Sequence, residues 1–169
     1  MQIGIRLHDT EGLVLQERLA WVKSQGFTCA HVALSKVIND FPLGAGALTP
    51  GFAMYLKKLF GVYELDIAVL GCYLNLAHPD PIEMKKILHT YMAHIRFASI
   101  LGCGVVGTET GAPNVSYVFE PACHERKALE TMLKNLREIV AYAEKMGVIL
   151  GIEPVRNHIV YNPQVARRF

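Results

Sequence analysis

The chain has 169 residues, 51% hydrophobic and 19% charged, with a formal net charge of +2 when histidine is neutral. That balance excludes a disordered chain and describes a globular protein with one sizeable core, so a single domain over residues 1–169 is expected. Basic residues are scattered through helical segments, and the terminal Arg167 and Arg168 do not make a patch, which argues against a nucleic-acid partner.

The first β-branched run, QIGIRL at 2–7, ends in the polar pair His8 and Asp9. The N-terminus MQIGIRLHD offers no basic stretch leading into an apolar one, and no apolar run in the chain approaches the roughly 20 residues of a membrane span. A helical stripe of Leu15, Leu19 and Val22 follows and stops at Gly26. The second run, FTCAHVAL at 27–34, ends in Ser35 and Lys36. Thr49-Pro50 then reads as an N-cap and first helical position.

The third run, LDIAVLGCYL at 65–74, leads into Asn75 and His78. Asp80-Pro81-Ile82-Glu83 has the form of a cap, a Pro at the first helical position and a Glu reaching back as in a capping box. The stripe Met84, Ile87, Leu88, Tyr91, Ile95 and Ala98 predicts the helix, and Gly102 ends it. The fourth run, CGVVGT at 103–108, is followed by Glu109 within GTETG. Leu129, Met132, Leu133, Leu136, Ile139, Val140, Ala143 and Met146 form the strongest stripe, opposed by Lys134, Arg137, Glu138 and Lys145 and stopped by Gly147. The fifth run, VILGIE at 148–153, ends at Glu153 and Pro154; after His158, Asn162-Pro163 opens another helix that runs to Phe169.

Strand and helix alternate throughout, which demands a parallel sheet. A doubly wound fold should carry a glycine-rich phosphate turn after its first strand, and RLHDTEG has none. A (β/α)₈ barrel places polar groups at the carboxyl ends of its strands, as here. The expected fold class is therefore α/β, a partial TIM barrel of five parallel strands. A complete barrel takes about 250 residues, so strands six to eight are expected to be absent.

Cys29, Cys72, Cys103 and Cys123 lack C-x-x-C spacing, and three sit in apolar runs, which reads as buried reduced thiols in a cytoplasmic protein. No G-x-S-x-G, H-E-x-x-H or zinc spacing occurs. What remains is acid/base chemistry at the barrel mouth. Glu153 and Glu109 are the candidate catalytic carboxylates, with Glu153 also placed to bind a divalent cation. His8, Asn75, His78 and His158 are candidate substrate contacts. The alternative for each is structural: an ion pair for Glu153, loop hydrogen bonds for Glu109, and packing or capping for the others. His31, His89, His94 and His124 read as structural.

GCYLNLAHPDP, GTETG and GIEPVRNHIVYNP together resemble the xylose isomerase-like TIM-barrel superfamily of sugar phosphate isomerases and epimerases. That resemblance extends over essentially the whole chain. It implies a sugar or sugar phosphate substrate and proton transfer next to a carbonyl. It also implies a divalent metal, Mn²⁺, Mg²⁺ or Co²⁺, with Glu153 as the strand-five ligand. The other ligands come from later strands in those relatives, and two glutamates leave a metal mostly hydrated, so this fragment alone is expected to be inactive. Two alternatives remain: a non-catalytic or truncated assembly module, and an endonuclease IV-like phosphodiesterase, which Glu109 and the near-neutral charge disfavour. A five-stranded fragment would leave two edges and an apolar face open, so a homo-oligomer covering them is expected.

Overall fold

The computed structural model describes residues 1–10 and 14–167. The last two positions of the expected final helix, Arg168 and Phe169, lie outside the described residues. Five strands appear, each within its expected run: β1 (Gly4–Arg6), β2 (Cys29–Val32), β3 (Asp66–Gly71), β4 (Val105–Thr108) and β5 (Ile149–Ile152). They form one parallel sheet in the order β1-β2-β3-β4-β5. A doubly wound sheet reverses its strand order near the middle, whereas a barrel wall adds each strand beside the last, so this order is that of a partial barrel.

The helices are α1 (Leu15–Ser24), the short α2 (Leu34–Val37), α3 (Pro50–Val62), α4 (Pro81–Leu101), α5 (Arg126–Met146) and α6 (Pro163–Ala166). Their ends follow the local chemistry. Thr49, Asp80 and Asn162 cap α3, α4 and α6 by accepting from the backbone N–H of Phe52, Ile82 and Val165, each with a Pro at the next position. Gly102 and Gly147 close α4 and α5 in the left-handed region at φ 85° and 66°. Glu83 does not complete a capping box; its carboxylate pairs with Lys86 one turn on.

Packing follows the stripes. Tyr91, Ile95 and Ala98 of α4 and Met132, Ile139 and Ala143 of α5 are buried, each large side chain contributing about 1.5–3 kcal/mol. Val140 departs from its stripe and is 38% exposed, because it neighbours Ile139 around the helix and only one of the two can face the sheet. All four cysteines are free and buried. No helix among the described residues is long and apolar enough to cross a membrane.

Two features shape the carboxyl end of the sheet. Tyr91, fully buried, donates its hydroxyl to the Leu74 carbonyl at 3.0 Å and meets Thr108 Oγ1 at 2.5 Å, tying the turn after β3 to the end of β4. Between β2 and β3 the register slips: Ala30 pairs with Ile67 but His31 with Val69, so β3 carries one extra residue. Such a bulge re-aims the side chains beside it.

Candidate active site at the barrel mouth

Thr108 pairs with Ile152, so Glu109 and Glu153 occupy the next rung of adjacent strands, whose backbones run about 4.7–4.9 Å apart. The Glu153 N–H donates to the Thr108 carbonyl at 2.8 Å, extending the β4–β5 pairing to that rung. Two clusters surround the carboxylates.

The first gathers on Glu109. The Tyr117 hydroxyl donates to Glu109 Oε2 at 3.4 Å, and His158 Nδ1 lies 3.7 Å from the same oxygen. The Tyr117 and His158 rings are 5.2 Å apart and tilted by 31°. Tyr117 adopts φ 54°, a strained conformation for a residue with a Cβ, and it is this turn that brings its ring over His158. His158 Nδ1 is buried without a hydrogen-bond partner among the described residues. Burial pushes the His158 pKa down, opposed by Glu109, and pushes the Tyr117 hydroxyl up, reinforced by Glu109.

The second cluster joins β1, β2 and β3. Arg6 Nη2 and Nε lie 2.8 Å and 3.2 Å from His8 Nε2. A guanidinium only donates, so His8 Nε2 accepts and the ring proton sits on Nδ1, which is buried and unpartnered among the described residues. The His8 and His31 rings meet edge to face at 5.6 Å. His31 Nε2 is 2.6 Å from the Tyr73 hydroxyl, and the Lys36 ammonium lies over the Tyr73 ring at 5.1 Å. Burial pushes both histidines below their ordinary pKa, helped by Lys36 and Arg6 and opposed by Glu153. Burial, then Glu153 and Glu109, push Tyr73 up to about 12, which keeps its hydroxyl protonated at neutral pH.

Both glutamates therefore act on one hydroxyl, and His8, Glu109, Glu153 and His158 share the mouth. Asn75 and His78 stand apart. Asn75 Oδ1 accepts from the N–H groups of Ala77 and Ala112, each at 3.1 Å, while its Nδ2 donates to the Asn114 carbonyl at 2.9 Å. His78 Nδ1 accepts from the Asp80 N–H at 3.2 Å, beside the α4 cap. Sequence reasoning missed Tyr73, Tyr117 and the placement of His31. The available signal for His31 was a polar residue inside an apolar strand run; the register sets it opposite Arg6, two residues before His8.

The described residues contain no group of three or more His, Cys, Asp or Glu that could hold a metal ion. This donor set does not by itself fit a resident cation.

A curved parallel wall with acid/base side chains on its carboxyl edge defines an α/β protein of the TIM-barrel class with its candidate site at the strand ends. The chain belongs to the xylose isomerase-like TIM barrel family, which it matches over residues 19–169. Among solved structures it is similar to the IolI protein with a bound zinc atom, at 16% identity over 99% of this chain and 57% of that one, with a TM-score of 0.76. It is similar to D-psicose 3-epimerase from Clostridium cellulolyticum H10, at 20% identity, 98% and 57% coverage and a TM-score of 0.72. A third is 3-keto-D-glucoside 4-epimerase from E. coli, at 15% identity, 99% and 62% coverage and a TM-score of 0.70. These likenesses show the fold, and the chain spans 50 to 58% of the length of the first three solved structures it matches. No curated protein sequence matches it.

Proposed function

We propose that this chain carries the acid/base part of a sugar or sugar phosphate isomerase or epimerase. The observation that supports it most is the placement of Glu109 and Glu153 one residue past the paired Thr108 and Ile152, with the Glu153 N–H bonded to the Thr108 carbonyl, on the carboxyl edge where Tyr73 and His31 also meet. The names of similar structures, two of them sugar epimerases, favour the same chemistry.

In this reading one carboxylate removes the proton next to the substrate carbonyl, and the C–H electrons move into an enediolate. The other carboxyl, protonated at the start, returns a proton: to the opposite face of the same carbon for epimerisation, or to the former carbonyl carbon for isomerisation, where the neighbouring hydroxyl proton passes to the former carbonyl oxygen and the carbonyl moves. Tyr73 donates a hydrogen bond to the developing oxyanion. Tyr117 and His158 hold Glu109 in place. Asn75 and His78 contribute by shaping the loop after β3. A divalent cation, Mn²⁺, Mg²⁺ or Co²⁺, would need donors besides Glu153 that the described residues do not gather. We place this activity in a single cytoplasmic domain, a reading supported by the four free thiols.

Because the chain spans little more than half of the structures it resembles, the test reads the proton-transfer step rather than full turnover: uptake of solvent deuterium next to the carbonyl, measured by NMR across free and phosphorylated ketoses.

A further inference from the structure

A cavity of about 220 Å³ opens between the carboxyl ends of β2 and β3 and the body of α4, lined by Ser35, Lys36, Leu43, Leu48, Tyr73 and His94 among others. Tyr73 and Lys36 also belong to the barrel mouth, so cavity and mouth adjoin. His94 has no part in the site described above. It interrupts the apolar stripe of α4 between buried Tyr91 and Ile95, where a hydrophobic residue would pack without desolvating a polar ring.

The state of this imidazole can be assigned. Its Nδ1 lies 2.9 Å from the Thr90 carbonyl oxygen. A carbonyl only accepts, so Nδ1 carries the proton and Nε2 keeps a lone pair. Burial pushes the ring below its ordinary pKa, opposed by the Thr90 bond, and it is neutral at physiological pH. The cavity is thus lined by an imidazole whose lone pair is on Nε2 and by Leu43 and Leu48, while the one ammonium among the lining residues named above, Lys36, is on an exposed residue.

We propose that this cavity is a subsite for the uncharged, hydroxyl-bearing end of the substrate, with His94 Nε2 accepting the O–H of a sugar hydroxymethyl group. The inference rests on the sugar reading above and narrows it to substrates unphosphorylated at that end. A phosphate pushed in beside His94 would meet a lone pair, Leu43 and Leu48, and the one ammonium among the lining residues, Lys36, already lies over the Tyr73 ring at 5.1 Å. A hydroxyl supplies the donor that Nε2 lacks. The volume is several times the roughly 30 Å³ share of one water, enough for a short polyol end.

The test is NMR titration of the histidine ring nitrogens of the intact chain with D-fructose and with D-fructose 6-phosphate, using His94→Phe to assign the resonance. The expected result is a saturable shift of His94 Nε2 with D-fructose, and binding of the 6-phosphate weaker by about tenfold or more. His94→Phe should weaken D-fructose binding by about tenfold, and His94→Gln, which keeps an acceptor, should recover part of it. No shift with D-fructose, or binding of the 6-phosphate equal to or tighter than that of the free sugar, overturns the proposal, and the wild-type titration decides this even if a variant fails to fold. Deuterium uptake without a His94 shift removes the subsite and leaves the acid/base reading standing. A His94 shift without deuterium uptake supports the subsite and removes the acid/base reading.

Discussion

The Tyr73 hydroxyl and His31 Nε2 stand 2.6 Å apart across the β2–β3 boundary, and the space that lets them meet is left by Gly71. A Cβ on Gly71 would fall 2.7 Å from Tyr73 Cε2 and 2.9 Å from His31 Nε2. Both obstacles are side chains, so the fold survives Gly71→Ala while the pair is forced apart. The expected outcome is at least about a tenfold loss in deuterium uptake for about 1–3 kcal/mol of stability. Gly44→Ala, which adds a Cβ into open space, should change neither.

Asn75 is 5% exposed, and its side chain fastens the turn after β3 to the segment after β4 through Ala112 and Asn114. Asn75→Ala leaves the N–H groups of Ala77 and Ala112 without that acceptor, which should cost about 2–4 kcal/mol in urea denaturation. If Asn75 instead acts mainly on substrate, stability will hold and only KM will rise.

Much of this was legible beforehand. Each strand lies inside an apolar run that the sequence displays, and Thr49, Asp80 and Asn162 announce their helices because capping is local chemistry. The placement of Glu109 and Glu153 at strand ends followed from the same runs. His31 and Tyr73 were hidden because their meeting depends on the extra residue in β3, a register decision made between strands. Tyr117 was hidden because nothing local requires a tyrosine to take φ 54°; packing on His158 and the bond to Glu109 hold it there.

Acid should destabilise the fold. His8, His31 and His158 all have pKa values lowered in the folded state, burial being the largest cause of each. Unfolded, they take up protons near their ordinary value of 6.5; folded, they do so only at lower pH. Below that value the unfolded chain binds more protons, so the stability gained by keeping these rings neutral is fully present above about pH 6.5 and declines as pH falls. The urea midpoint should be lower at about pH 5.5 than at about pH 7.5, and a higher midpoint in acid would contradict the assignment.

Among the described residues β1 pairs only with β2 and β5 only with β4. Ile149 on β5 is 67% exposed, and Ile3, just before β1, is 60% exposed. Unpaired edges carrying apolar side chains favour association. We propose that copies of the chain cover these edges, and light scattering should show a species larger than one chain. A monodisperse monomer would remove this proposal.

The central claim, that Glu109 and Glu153 form a proton-transfer pair, is tested most directly by solvent deuterium incorporation next to the carbonyl of a ketose panel. Wild-type protein should incorporate deuterium into at least one member, and Glu109→Gln and Glu153→Gln should each slow incorporation by about 100-fold or more. No incorporation into any free or phosphorylated ketose, or incorporation that both variants retain at the wild-type rate, would contradict it.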